Sequence, residues 1–334
     1  MIAYLQSGQI PKVIEVISKL ILLMEQTQRQ RDNFGMFYIP YSYACALLGA
    51  SLGFKGNFNE GRIYLEKSRI VANETGNLWT LGLTENLYGR YWSLKGDGEK
   101  VLKHYQKALQ YFEEAEFPYI LGQSRSGLGH GYHLVGDLDT AREHCLNGLE
   151  IQENSEVLMF LSLSYRYSAM IECDSGNLQK AQGLAEKALE LSQNQRERTN
   201  EALSSYILGT ILTKINPENI NQAENLILKG IDIVQEMDLK WFIALGYLRL
   251  GESYVNAGQK DKAIDHLYTA EKMFQKMGVD YYIAKIHAIY TELYKKEGDK
   301  SKARENLEKA IEIFKECGAD GWVEKYQRDL ATLS

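Results

Sequence analysis

His130 and His133 lie three residues apart on one helical pattern and His144 and Cys145 follow on the next, so nitrogen and sulfur ligands for zinc can be imagined there. A zinc site needs four converging ligands held by a second layer of hydrogen bonds. Cys145 occupies a position whose residues pack inward in every other repeat, and scattered His and Cys at such positions are ordinarily structural, so no metal is assigned. His104, His266 and His287 have no partner at ligand spacing. The glycine-rich stretch Gly127–Tyr132 has the composition of a phosphate loop, but it falls inside helical periodicity with no strand before it, so that mechanism fails. Neither GxSxG, HExxH, DxDxDG nor a Walker sequence occurs. The carboxylates Glu113, Glu114 and Glu116, and Glu305, Glu308 and Glu312, face away from the apolar stripes and read as solvated surface paired with nearby cations. The chain is therefore read as non-catalytic, with no cofactor.

The elements that must position these side chains are helices. With only 4 prolines, 45% hydrophobic and 25% charged residues, the 334-residue chain suits a mostly helical fold longer than one ordinary globular core. A net charge of −6 argues against a phosphate backbone as partner, because nucleic-acid affinity comes from clustered Lys and Arg. The tyrosines fall mostly on packing columns rather than along a basic track. The apolar run Val13–Met24 is interrupted by Glu15, Ser18 and Lys19, so neither a membrane span nor a signal peptide is expected. Cys45, Cys145, Cys173 and Cys317 lie far apart, which suits reduced thiols and a cytoplasmic location.

Turn signals set a period. Gly56-Asn57, Gly96-Asp97, Gly136-Asp137 and Gly176-Asn177 are spaced by 40 residues, followed by Ile215–Glu218, Gly258-Gln259 and Gly298-Asp299. The fifth turn carries a proline and two extra residues, which predicts a longer loop. Three columns of small residues keep the same register: Gly49, Gly89, Gly129, Ala169, Gly209 and Gly251 in the first helix of each unit, then Ala141, Ala181, Ala223 and Ala263, then Ala108, Gly148, Ala188 and Ala270. Glycine inside a helix costs about 1 kcal/mol against alanine, so its recurrence predicts close helix contact. A fourth small column, including Gly82, Gly122, Ala244 and Ala284, is preceded three residues earlier by bulky Trp79, Tyr119, Trp241 and Tyr281.

Gly251, Tyr254, Ala263 and Ala270 carry the tetratricopeptide-repeat signature, Gly129, Tyr132, Ala141 and Gly148 match it in size, and Gly89, Trp92 and Ala108 match with Val101 substituted. The chain thus resembles the tetratricopeptide-repeat family over nearly its whole length, without the proline that usually closes the second helix. Its long repeats are similar in style to the helical sensor arrays of bacterial signal-transduction ATPases of the maltose-regulator type and of multidomain nucleotide cyclases. The resemblance implies an all-α, right-handed superhelical solenoid whose first helices line a concave groove. On that basis the groove contacts are the residues three before and one after each mid-helix small position: Asn86 and Arg90, Ser126 and His130, Arg166 and Met170, Tyr206 and Thr210, Leu248 and Glu252. His133 joins them, and Ala46 and Ala50 in the first unit leave the chaperone-tail carboxylate clamp unmatched. Asn86, Arg90, His130, His133 and Arg166 together could hold a carboxylate or phosphate, against the plainer reading of a hydrated groove with internal salt bridges. Beyond them the groove is expected to turn acidic at Glu252 and Glu292, with Lys295 and Lys296 nearby.

The expected organisation is one array over residues 1–334: a half repeat and polar insertion (1–33), seven hairpins (37–318) and a cap helix (319–334). Gly8-Gln9 aligns with the later turns, so the chain is expected to start inside a repeat, either as a piece of a longer protein or as an edge completed by a partner, including a second copy. The expected role is recognition of a protein or peptide in the groove, as the sensor or docking segment of a signalling protein. A stand-alone assembly scaffold and a sensor of a small anionic metabolite are the alternatives. Because solenoid contacts run between nearest neighbours, the array should flex like a spring.

Overall fold

The Gly-Asp turns do two jobs at once. Gly96 and Gly136 end their helices in the left-handed conformation (φ 74° and 92°), and the aspartates that follow accept from the backbone of the next helix, Asp97 from the Lys100 amide and Asp137 from the Thr140 amide, each at 3.1 Å. These are the C-cap and N-cap chemistries that close one helix and open another. At the longer fifth turn Asn216 accepts from the Glu218 amide at 3.0 Å and starts a 3-10 turn over Pro217–Asn219.

The computed structural model describes residues 10–116, 120–155 and 159–333, in which sixteen α-helices follow one another without a strand. The first helix, α1 (Ile10–Gln26), is followed by antiparallel pairs: α2 (Pro40–Phe54) with α3 (Phe58–Thr75), α4 (Leu78–Lys95) with α5 (Gly98–Glu114), and α6 (Leu121–Val135) with α7 (Leu138–Asn154). The series continues with α8 (Leu161–Asp174) and α9 (Leu178–Asn194), α10 (Arg198–Ile215) and α11 (Ile220–Gln235), α12 (Lys240–Asn256) and α13 (Lys260–Met277), α14 (Asp280–Lys296) and α15 (Lys300–Glu316), and ends on α16 (Asp320–Thr332). The polar insertion is part of a longer connection, residues 27–39, pinned by Arg31 to Glu74 at 2.6 Å. The expected Gly8-Gln9 turn and the bulky Tyr119 lie outside the described residues.

The small columns sit where helices touch. A Cβ on Gly89 would come within 2.7 Å of the Tyr105 ring, and one on Gly129 within 2.6 Å of Cys145 Sγ. Second helices are amphipathic, burying Val101, Tyr105, Ala108 and Phe112 in α5, whereas first helices are buried nearly all round, as in α2 and α10. A helix buried on every side is packed between neighbours rather than laid on a surface.

The expectation of purely nearest-neighbour contact is corrected here. The superhelix winds tightly enough that its successive turns meet. The C-terminal ends of α2, α4 and α6 abut the N-terminal ends of α12, α14 and α16 along one seam. Phe54 packs on Phe242 with ring centroids 5.2 Å apart, and Lys55 pairs with Asp238 at 2.9 Å. The indole N–H of Trp241 donates to the Leu94 carbonyl at 2.8 Å, and that of Trp322 to the His133 carbonyl at 2.9 Å. Lys95 donates to the Gly278 carbonyl, and Gly136 lies against the backbone of Gly321 and Trp322, where an added Cβ would meet the Trp322 nitrogen at 2.4 Å. Trp241 and Tyr281, two members of the bulky column, are therefore seam residues. Burying one such aromatic removes about 150–250 Å² from water, roughly 4–6 kcal/mol before entropy is counted.

Candidate functional site

Closure of the seam turns the concave face into a lumen walled by the first helices. In α8 the lining residues are Leu163, Arg166, Tyr167, Met170 and Asp174, a stripe of three-and-four spacing. The lumen has two chambers that share His130, Met170, Arg249 and Tyr282. One, of about 100 Å³, is walled by apolar side chains such as Leu203, Phe242 and Leu245, with Arg90 and Arg166 facing it. The other, of about 310 Å³, is walled by ionic groups.

In the ionic chamber Glu252 accepts from Lys214 at 2.9 Å and from Arg249 at 2.7 Å. Asp174 is bonded to His133 Nε2 at 2.9 Å and lies 3.7 Å from Lys285. Lys285 Nζ stands 3.3 Å from the centroid of the Trp322 ring. Burial pushes the Glu252 carboxyl up, but Lys214 and Arg249 more than offset it and hold the group at about 2. Asp174 is likewise held well below the usual range, burial opposed by Lys285 and His133. Burial lowers Lys285 to about 8 despite Asp174. His133 is lowered by burial, with its bond to Asp174 opposing, so the neutral ring donates Nε2–H to the carboxylate while Nδ1 has no partner.

The apolar chamber is different in kind. The half-buried Arg90 lies beside two ring faces, Phe54 at 5.8 Å and Phe160 at 5.5 Å. Arg166, 7% exposed, lies over Tyr167 at 4.7 Å and interacts with its side chain, donates to Met170 Sδ at 3.7 Å, and leaves its Nε unpartnered. Among the described residues no carboxylate lies within ion-pairing distance of either guanidinium, whereas Arg249 pairs with Glu252 and Arg142 with Asp139 and Glu172. His130 stacks on Tyr167, centroids 4.3 Å apart and rings 5° from parallel, and burial lowers its pKa well below the usual value, with His133 and Arg166 adding to the effect.

Of the residues expected in the groove, Arg90, His130, His133, Arg166 and Glu252 line the lumen. Asn86, Ser126, Tyr206 and Thr210 do not. Asn86 donates to Ser124 at 2.8 Å across the α4–α6 contact, Ser126 packs on Gly148, Tyr206 is fully buried against Gly230 and Gly246, and Thr210 donates to the Tyr206 carbonyl at 3.0 Å. The reason is a rotation of the lining stripe by about one residue: Leu47, Leu87, Tyr167 and Ile207, two before the small position, face inward. The acidic end is also corrected, since Glu252 is paired with two cations and Glu292 with Lys295 at 2.9 Å. Sequence reasoning missed Asp174, Lys214, Arg249 and Lys285. A partial signal was available, because the column that begins with Phe54, Leu94 and Leu134 turns polar from Asp174 and Lys214 onward. No group of three or more His, Cys, Asp or Glu side chains suited to a metal occurs among the described residues. Burial raises the thiols of Cys45 and Cys145 to about 12, and no helix among these residues is long and apolar enough to cross a membrane.

Paired antiparallel helices with close small-residue contacts, wound so that the first helices wall a polar-studded lumen, define a tetratricopeptide-type helical repeat protein. Residues 85–332 match the MalT-like TPR region, and the chain belongs to that family. No curated protein matches it in sequence. Among solved structures, it is similar to the Rap conjugation gene regulator of plasmid pLS20 in complex with the Phr* peptide, at 16% identity and a TM-score of 0.67 over 83% of this chain and 74% of that one. A Rap protein complexed with competence and sporulation factor is similar at 16% identity and a TM-score of 0.58 over 98% and 100%. The apo quorum sensor NprR from B. thuringiensis is similar at 18% identity and a TM-score of 0.51 over 96% and 82%. At these identities the likeness is one of fold, a right-handed helical-repeat superhelix.

Proposed function

We propose that this chain is a non-catalytic recognition module whose lumen receives a short peptide segment, serving as the sensor or docking part of a signalling or regulatory system. The observation that carries the reading is the buried Arg166, its Nε unpartnered and no carboxylate within pairing distance among the described residues, facing an apolar chamber beside the half-buried Arg90. A buried charge without a partner is costly, so its retention marks a place where a ligand supplies the partner. Two proteins of the same fold were solved with a peptide or factor bound, which is in keeping with this use of the superhelix. The His133–Asp174 pair belongs to the ion network with Lys285 and serves to hold the second chamber open and polar.

The test is a panel of short peptides titrated calorimetrically into the wild-type chain and into Met170→Trp. Met170 lines both chambers, so the larger ring obstructs the lumen while leaving the outer helix faces unchanged. Binding lost in Met170→Trp with an unchanged circular dichroism spectrum is the expected result. Peptide binding that survives the obstruction would place recognition on the outside of the solenoid and overturn the reading.

A further inference from the structure

We propose that the Arg90–Arg166 chamber is a carboxylate clamp for a ligand whose carboxylate is carried on an apolar group, a class that includes the free C-terminus of a peptide ending in an apolar residue and a small apolar carboxylic acid. The inference deepens the proposed function and rests on the lumen being the binding site. Arg90, Arg166 and a neutral imidazole donor face the chamber together with Arg249, which is already paired with Glu252, and most of the remaining wall is hydrocarbon and aromatic ring. Guanidinium groups present parallel N–H donors that match the two oxygens of a carboxylate.

Size and charge narrow the class further. A cavity of about 150 Å³ accepts benzene, so the chamber's roughly 100 Å³ suits one short apolar group beside its carboxylate. Glu197 also faces this chamber, satisfied by the Phe160 amide at 3.2 Å, Asn200 at 2.9 Å and Ser162, and its fixed negative charge disfavours a dianion. A monoanion on an apolar body therefore fits better than phosphate, which would bring two charges into a space with little water to accompany them. The 7%-exposed Arg166, with its Nε unpartnered, lines this space; burial disfavours its charge, Tyr167 opposes that, and the Arg90 charge adds a smaller disfavouring effect. A shared anion relieves both.

Calorimetric titration of the full chain with 4-methylpentanoate, the tripeptide acetyl-Ala-Ala-Leu as free acid, its C-terminal amide, and inorganic phosphate tests the clamp. The free acids should bind at least tenfold more tightly than the amide, and the stronger of the two acids identifies the natural source. Arg90→Met and Arg166→Met should abolish the preference for acid over amide, while the melting temperature of unliganded Arg166→Met rises; Arg166→Lys should keep part of the preference. A residue serving structure alone would lower the melting temperature on removal. Equal affinity for acid and amide would overturn the clamp and leave the lumen reading intact, and tighter binding of phosphate would overturn the ligand class. If neither acid binds, the clamp falls, and the Met170→Trp peptide comparison decides the lumen reading separately.

Discussion

Trp241→Phe isolates what the seam contributes. The indole N–H donates at 2.8 Å to the carbonyl of Leu94, one of the last carbonyls of α4 and therefore without an intrahelical partner. Phenylalanine keeps an aromatic ring against Phe242, 5.1 Å away by centroids, and Tyr282, 5.3 Å away, but cannot donate. Orphaning a buried carbonyl costs about 1–3 kcal/mol. The void left by the smaller ring adds about 1 kcal/mol at the usual cost per unit of cavity volume. The expected loss is thus about 2–4 kcal/mol, read as the shift of the first transition in urea, because an array of repeats need not unfold in one step. Trp92→Phe is the control, since Trp92 is half-buried and its recorded contacts are ring contacts, with Lys100 at 4.0 Å and Tyr91 at 5.2 Å. Small-angle scattering should show a larger radius of gyration for Trp241→Phe and not for the control. A loss below about 0.5 kcal/mol, together with an unchanged radius, would mean that the turns of the superhelix do not hold one another closed, and the seam argument would fail.

Glu252→Gln leaves Lys214 and Arg249 without their shared carboxylate, and breaking such a buried pair should cost about 2–4 kcal/mol in urea unfolding at pH 7. The same group predicts acid sensitivity. Its folded pKa of about 2 lies below the ordinary 4.5, so its stabilisation is present above pH 4.5 and is lost as pH falls toward 2, and Glu252→Gln should flatten that limb of a stability-against-pH curve. Lys285 acts oppositely. Its folded pKa of about 8 lies below the ordinary 10.5, so the unfolded chain binds the extra proton between those values and its contribution improves as pH rises through that window; Lys285→Met should remove this rise. Gly89→Ala and Gly183→Ala should have opposite signs by thermal denaturation. The first drives a methyl within 2.7 Å of the Tyr105 ring and should cost about 1–3 kcal/mol, while the second meets nothing within 4 Å in the interior of α9 and should gain about 0.5–1 kcal/mol.

The repeat was legible in the sequence because its determinants are local. A glycine that must close a helix at positive φ and an aspartate that must cap the next occupy adjacent positions, and helix contacts too close for a side chain recur at a fixed distance along the chain. The lumen was legible only in part, because its lining depends on how much each hairpin turns against the next. A rotation of one residue on the first helices moves Asn86 into the contact with the neighbouring first helix and Ser126 against the second helix of its own hairpin, and brings Leu87 and Tyr167 inward. The seam was not legible at all. Trp241 and Trp322 meet carbonyls 147 and 189 residues away, a relation set by the sum of many small packing angles rather than by any neighbour in sequence. Their bulk was visible as a column, but what they touch was not.

The two chambers answer the cost of buried charge in opposite ways, and the contrast locates function. In the ionic chamber the protein supplies both signs: Glu252 with Lys214 and Arg249, Asp174 with His133 and Lys285. Each charge in this network has an opposite charge or a hydrogen-bond partner from the protein itself, although His133 Nδ1 and Arg249 Nε are left over, and the network ties the helices α8, α10, α12 and α14 together, since each contributes a charged member. In the apolar chamber Arg90 and Arg166 come from α4 and α8, have no carboxylate within pairing distance among the described residues, and face a wall that closes where α12 meets the ends of α2 and α4, Phe242 on Phe54 and Trp241 on the Leu94 carbonyl. An anion bound there would be contacted from helices of different repeats, which links occupancy of the chamber to the winding of the superhelix. A ligand that binds the closed form more tightly must stabilise the closed form by the same free energy. Seam stability and ligand affinity are therefore coupled, and Trp241→Phe should weaken binding to the chamber even though the indole nitrogen's recorded partner is the backbone of α4.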